Sequence, residues 1–188
     1  GGFMGRWFGK GKGARAAPAR RRTVRVASEV ASLAASLPVQ FASSIFVRVD
    51  ETRPDVIKAM ISGPADTPYA HGLFEFDVRL PDDYPESPPS VKLLTTGGGT
   101  VGFNPNLYPD GTVCLSLLGT WAGPGWSPAT STLLQVLVSV QGLILVGEPY
   151  FNEPGYEESM HSPQGKAASK RYNAKVWEHN VRHALLGA

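Results

Sequence analysis

The chain has 188 residues, 42% of them hydrophobic and 18% charged, which is enough to bury one sizeable core. Its single cysteine excludes an internal disulfide and a cysteine-rich zinc site. We therefore expect no metal site, and a reducing compartment such as the cytoplasm or the nucleus. The net charge of +2 hides an asymmetry, because residues 1–25 carry eight Lys or Arg and no acid. The rest of the chain carries ten basic and sixteen acidic residues, a net charge of −6.

Residues 1–20 are rich in Gly, Ala and basic side chains and lack a sustained hydrophobic period, which predicts a flexible arm. Such an arm could meet nucleic acid, an acidic membrane or an acidic partner, or act as a transit peptide. A solvated tail or linker without a nucleic-acid partner is the favoured interpretation. Residues 21–188 are predicted to form one domain. Because the first residue is Gly and not Met, we expect a processed product or a part of a longer chain.

The first half of the domain is predicted to be one helix followed by four strands. Arg21–Ser36 is a predicted helix, because apolar residues recur at helical spacing and Pro38 ends the pattern. In the third strand Phe, Val and Leu alternate with charged residues over the whole run. Short turns between the strands predict an antiparallel meander. The four predicted strands are Phe41–Val49, Val56–Ile61, Leu73–Leu80 and Ser90–Leu94.

The second half of the domain is predicted to contain two further helices. Ser127 as N-cap and Pro128 in the first turn favour a helix that runs to about Val146. Its apolar part, Leu133–Val146, is too short to span a bilayer and is apolar nearly all round, so it is predicted to be the buried central helix. Tyr172–Leu186 is predicted to be an amphipathic C-terminal helix.

The only cysteine, Cys114, lies in a stretch of turn-forming residues, NPNLYPDGTVCLSLLGTW, from Asn104 to Trp121. The prolines, glycine and Asn or Asp residues predict an irregular backbone, and the apolar residues that follow would anchor it. A lone cysteine is more often inert packing than a nucleophile. Asn106, eight residues earlier, favours a functional thiol, since its carboxamide could bond a developing oxyanion or brace the loop by a turn.

This segment resembles the active-site signature of ubiquitin-conjugating enzymes, His-Pro-Asn followed eight residues after the Asn by the catalytic Cys. Here the tripeptide reads Asn104-Pro105-Asn106. The resemblance runs from about Arg22 to the end of the chain and includes GPADTPYAHGLFEFDV, YPESPP, WSPA and GEPYFNEPGYE. It is strongest to the giant apoptosis-inhibiting conjugating enzymes and the large hybrid conjugating-enzyme/ligase relatives. It implies an α/β (α+β) fold whose C-terminal helices are truncated here.

The resemblance implies a transferase in which Cys114 carries ubiquitin as a thioester and a substrate lysine later attacks it. Asn106 would donate to the oxyanion or hold the loop, and Asn104, Pro105 and Ser116 would brace it. Many relatives have Asp where this chain has Ser116, so Glu153 is the remaining candidate to orient the lysine. The implied partners are ubiquitin, an activating enzyme that uses the ATP, protein substrates and a ligase. No bound cofactor is expected.

The resemblance also implies a ligase-binding surface. Its predicted residues come from two segments of the chain, and one of them, Glu86, stands where many relatives have an apolar contact residue. Three alternatives remain at this stage: a ubiquitin-binding variant with weak or no activity, a cysteine hydrolase with a histidine paired to Cys114, and a ubiquitin-like modifier as cargo. The residues of the predicted ligase surface are Glu86, Pro88, Ser127, Pro128 and Ala129.

Overall fold

The computed structural model describes residues 16–40 and 43–187. Residues 1–15, which make up most of the predicted arm, lie outside this part of the chain. So do residues 41 and 42, with which the first predicted strand was expected to begin. Within the described ranges, no helix is long and apolar enough to cross a membrane.

The first helix, α1, spans Ala16–Ser36 and so begins earlier than the predicted Arg21. Its apolar face is buried through Val26 and Leu33, which are 3% and 2% exposed. Glu29 is buried on the same helix, and its carboxylate accepts hydrogen bonds from Tyr84 Oη at 2.7 Å and from the backbone nitrogen of Leu133 at 3.0 Å. These bonds satisfy a carboxylate that would otherwise be costly to bury, and they tie α1 to the rest of the domain.

Five antiparallel strands follow in chain order, each paired with the next. The predicted meander is confirmed, but the number of strands was wrong, because a two-residue strand, Val39–Gln40, pairs with the start of the first long strand. Such a short edge pairing has no sequence period to detect. The alternation in the third predicted strand is confirmed, since Phe74 and Phe76 are fully buried. The strands are β1 Val39–Gln40, β2 Ser43–Val49, β3 Val56–Ser62, β4 Leu73–Arg79 and β5 Ser90–Leu93.

The central helix, α2, spans only Leu133–Ser139 and continues as a π-helical turn over Val140–Ile144. The predicted start at Ser127 was wrong. Thr132 is the N-cap and forms a capping box with Gln135, in which each side chain accepts from the other residue's backbone nitrogen. Residues 127–131 close a separate turn instead. The helix is buried on one side only, since Val138 and Leu143 are 43% and 61% exposed.

The last helix, α3, spans Pro163–Asn180 and ends in a second π-helical turn, Val181–Leu185. It begins well before the predicted Tyr172, with Ser162 as N-cap. The early turns were missed because small residues, not large apolar ones, face the core there. Gly165 is buried directly against the carbonyl of Ser159, where a Cβ would clash with that oxygen.

Candidate active site

Cys114 and Asn106 are joined by two reciprocal hydrogen bonds. The backbone nitrogen of Cys114 donates to the carbonyl of Asn106, and Asn106 Nδ2 donates to the carbonyl of Cys114, both at 2.9 Å. Asn106 is 6% exposed and the cysteine is a free thiol. One N–H of the Asn106 side-chain amide therefore holds the backbone beside the thiol. A hydrogen bond from Asn106 to an oxyanion stays a prediction.

Asn104, which replaces the His of the family signature, is 5% exposed and bonds four groups. Its Nδ2 donates to Tyr69 Oη at 3.0 Å and to the carbonyl of Ile144 at 2.8 Å. Its Oδ1 accepts from the backbone nitrogen of Asn106 at 2.8 Å and, more weakly, from Asn152 Nδ2 at 3.4 Å. Ile144 is the last residue of the π-helical turn, and this turn places its carbonyl within hydrogen-bond distance of Asn104 Nδ2.

Thr120 was not among the predicted site residues, yet it holds the backbone on both sides of Cys114. Its hydroxyl donates to the carbonyl of Val113 at 2.7 Å and accepts from the backbone nitrogen of Leu115 at 2.9 Å. A hydroxyl can do both at once because it carries one donor and two lone pairs. The contact spans several residues of irregular loop, so no sequence period indicates it.

The thiol lies in an unfavourable setting for ionisation. Cys114 is 8% exposed, and burial, followed by the negative charge of Asp110, raises the pKa of its thiol. Less thiolate is therefore present at neutral pH than for a free cysteine. Asp110 was seen in the sequence only as a turn former, and it is the second functional candidate that the sequence analysis missed.

The remaining predicted loop residues lie around this centre in different settings. Ser116 is half-buried and begins a short 3₁₀ turn, Ser116–Leu118, directly after Leu115. Pro105 is half-buried between the two asparagines. Glu153 is exposed at the end of a 3₁₀ turn, Pro149–Asn152, whose last residue bonds Asn104. The loop that carries Glu153 is thus connected to the cysteine loop by one side chain.

The two segments of the predicted ligase surface come together at Trp126. Its Nε1 donates to the carbonyl of Pro85 at 2.7 Å, and its ring lies 5.7 Å from that of Tyr84. Glu86 is exposed and its carboxylate is 3.9 Å from Arg21 Nη1. The other members of the predicted surface range from half-buried to exposed: Pro88, Ser127, Pro128 and Ala129.

No histidine in the described ranges hydrogen bonds Cys114, although all four histidines of the chain fall within them. His179 lies instead against Phe103, with ring centroids 6.2 Å apart, and burial lowers its pKa. A paired Cys and His would be the signature of a hydrolase, and the cysteine hydrolase alternative is not favoured.

A free thiol on a tightly hydrogen-bonded loop, beside an antiparallel sheet and a short central helix, fits a cysteine-dependent transferase domain. The profile of the ubiquitin-conjugating enzyme family matches residues 25–180. The chain therefore belongs to the ubiquitin-conjugating enzyme family, and the predicted resemblance is confirmed.

Several relatives are similar over most of this chain. It is 56% identical over 178 residues to the human dual E2 ubiquitin-conjugating enzyme/E3 ubiquitin-protein ligase BIRC6, which covers 93% of this chain and 4% of the relative. It is 53% identical over 169 residues to probable ubiquitin-conjugating enzyme protein 17 of Caenorhabditis elegans, covering 88% of this chain and 23% of the relative. Human ubiquitin-conjugating enzyme E2 Z is 50% identical over 141 residues, or 75% and 38% of the two chains. The chain thus spans a minor part of each of these relatives.

Proposed function

We propose that Cys114 accepts the C-terminal carboxyl group of ubiquitin from an activating enzyme and passes it to a lysine of a protein substrate. The observation that carries this proposal is the pair of 2.9 Å hydrogen bonds between Cys114 and Asn106, which holds a free thiol beside the amide of the family signature. Ubiquitin is the favoured cargo because the family and the relatives above are named for it.

The loading step exchanges one thioester for another. The thiolate of Cys114 attacks the ubiquitin carbonyl carbon on the activating enzyme, a new C–S bond forms, and the activating enzyme's sulfur leaves. No net oxidation occurs, and the ATP is spent earlier by the activating enzyme, so this domain requires no bound cofactor. The raised pKa of Cys114 limits the thiolate present before loading.

The transfer step forms a tetrahedral intermediate whose oxyanion needs a donor. Asn106 is the proposed donor, and one of its amide hydrogens is already used to fix the carbonyl of Cys114. A preorganised donor of this kind commonly contributes about a hundredfold in rate. Glu153 is exposed on the adjoining loop and is proposed to orient or gate the incoming lysine, whereas the uncharged Ser116 braces the loop.

A ligase is proposed to dock where the Tyr84 to Pro89 connector meets the Trp126 segment. Rigid, partly exposed backbone suits a docking surface, and Trp126 Nε1 holds the two segments together through the carbonyl of Pro85. Glu86 places a charge there, so we propose a ligase surface with polar rather than purely apolar contacts. The name of the human relative BIRC6 includes a ligase activity, and our proposal extends only its conjugating half to this domain.

The proposed setting is the cytoplasm or the nucleus, which suits a free thiol that must stay reduced between turnovers. Protein substrates and an activating enzyme are the proposed partners.

Thioester loading tests the proposed function. The chain is incubated with ubiquitin, activating enzyme and ATP, and gels with and without reductant are compared for wild type, Cys114→Ser and Cys114→Ala. We expect a reductant-sensitive adduct in wild type, a reductant-resistant ester in the Ser variant and none in the Ala variant. A folded wild-type chain without an adduct would contradict ubiquitin as cargo, and a panel of ubiquitin-like modifiers would then show whether another modifier loads.

A further inference from the structure

A groove of about 560 Å³ adjoins the cysteine segment. Its lining includes β5 residues and the turn that leads from Asp110 to Val113. Val113 directly precedes Cys114. Thr120, which also lines the groove, hydrogen bonds the residues on either side of Cys114. The groove therefore runs beside the backbone that carries Cys114.

Two side chains of opposite charge line the groove, Asp110 and Lys92. The Asp110 carboxylate is exposed and accepts a hydrogen bond from the backbone nitrogen of Thr112 at 2.9 Å. That bond, together with the Thr112 hydroxyl, lowers the pKa of Asp110, and the charge of Lys92 acts in the same direction. Asp110 is thus a permanent negative charge at neutral pH.

This negative charge has opposite consequences for the two halves of the reaction. Before loading, it disfavours the thiolate, because Asp110 adds to the effect of burial in raising the pKa of Cys114. After loading there is no thiolate to oppose, and the incoming group is a lysine ammonium. The same charge that opposes the first step therefore attracts the ammonium of the second, in competition with Lys92 on the same groove.

We propose that Asp110 binds the ammonium group of the acceptor lysine at the groove and so brings the amine to the thioester on Cys114. This inference rests on the proposed function and names the group that receives the acceptor. Ser116, where many relatives have a carboxylate, has no charge to offer. Asp110 instead belongs to the turn that leads into Cys114, on the wall of the adjoining groove.

Asp110 is a binding group and not the base. The lysine ammonium first releases one proton to water, because a carboxylate is far too weak a base to keep it. The neutral nitrogen then attacks the thioester carbonyl carbon, the C–N bond forms, and the C–S bond breaks with its electron pair on sulfur. The nitrogen's second proton passes to that thiolate, so an ammonium and a thioester become an amide, a thiol and one free proton. The effect of Asp110 is therefore expected in the KM for lysine more than in the maximal rate.

The chain contains a matched control. Asp50, between β2 and β3, is half-buried, and its Oδ1 accepts from the backbone nitrogen of Thr52 at 2.9 Å, as Asp110 does from Thr112. Asp110→Asn and Asp50→Asn each remove one charge and keep an acceptor oxygen for the turn. Asp110→Glu keeps the charge at the groove. Thermal denaturation of all three variants checks that each one folds.

The experiment is single-turnover discharge of ubiquitin-loaded chain to increasing lysine, with hydroxylamine, which is uncharged at neutral pH, as the second nucleophile. For Asp110→Asn we expect a KM for lysine about two to five times higher, the span of an exposed ion pair, and unchanged discharge to hydroxylamine. Alkylation of the unloaded thiol by iodoacetamide should shift to lower pH in this variant. Asp50→Asn should change none of these, and Asp110→Glu should keep the wild-type KM within about twofold.

Equal losses with lysine and hydroxylamine in Asp110→Asn would overturn the inference, because they would assign Asp110 a structural role. An unchanged KM for lysine would overturn it as well, while normal loading of the same variant would leave the proposed function intact. A wild-type chain that never loads would overturn the proposed function and this inference together.

Discussion

The loop that carries Cys114 has two arms before the cysteine, a buried one (residues 104–106) and an exposed one (residues 108–112), and the two are built in different ways. On one arm, Asn104 and Asn106 are 5% and 6% exposed and bond groups from distant parts of the chain, including Tyr69 and Ile144. On the other arm, residues 108–110 and 112 are exposed, and the arm meets the rest of the chain through backbone, where Gly111 accepts from Leu93 and Thr112 forms a bridge with Lys92. The buried arm fixes the position of the thiol, and the exposed arm supplies the charge beside it.

One loop can therefore be rigid on its buried arm and tolerant of substitution on its exposed arm. A buried amide that loses its partners leaves several polar groups unsatisfied, which is costly. An exposed turn loses little when one side chain changes, because water replaces the contact. Substitutions on the buried arm should therefore affect folding and every step of the reaction, whereas those on the exposed arm should affect one step.

The largest effect is expected for Asn106→Ala, which breaks the buried arm at the thiol. It removes the bond to the carbonyl of Cys114 and the proposed oxyanion donor, so discharge to lysine should fall about a hundredfold. Single-turnover discharge of the loaded variant measures this, with the amount of thioester formed as the control. A discharge rate within about threefold of wild type would assign Asn106 to loop geometry alone.

Asn104→Ala should be the most destabilising substitution on the buried arm. Tyr69 Oη and the carbonyl of Ile144 lose their donor, and we expect the free energy of unfolding to fall by about 3 kcal/mol. Denaturant unfolding measures the change. Asn152→Ala is the matched control, since its longer bonds, 3.4 Å to Asn104 and 3.1 Å to the carbonyl of Leu143, should contribute about 1 kcal/mol at most. Equal losses in the two variants would refute the ranking.

Thr120→Val tests the link that flanks Cys114. The variant keeps the shape but loses both hydrogen bonds, and because Thr120 is exposed, water should limit the loss to about 1 kcal/mol of unfolding free energy. Thr120→Ser retains the hydroxyl and should restore most of the stability and the loading rate. If Thr120→Ser loses as much unfolding free energy as Thr120→Val, the methyl group and not the hydroxyl of Thr120 supports the loop.

Glu86→Ala should have the smallest effect on stability. Its ion pair with Arg21 is 3.9 Å long, and the two side chains are 60% and 78% exposed, so the free energy of unfolding should change by less than about 0.5 kcal/mol. The same denaturant experiment measures it. A loss above about 1 kcal/mol would show that the connector depends on this pair, in contrast to the exposed arm of the cysteine loop.

The helix boundaries show where sequence patterns succeed and where they fail. The alternation of apolar and charged residues placed β4 correctly, because every second side chain faces one core. The start of α3 was missed because Gly165 and Ser169 face the core there, and small residues leave no hydrophobic period. The start of α2 was placed too early because Ser127-Pro128 and Thr132 are both plausible helix starts, and only the capping box selects the second.

The family, the fold class and the position of the thiol were determined by the order of residues, because short motifs at set spacings and alternating strands are local properties of a chain. The tertiary structure decided how that thiol is held and what lies beside it. The π-helical turn offers the carbonyl of Ile144 to Asn104, and Thr120 and Asp110 take roles that no local pattern indicates. Those roles depend on side chains that meet only when the loop closes over the core, since hydrogen bonds and charges act through space and not along the sequence.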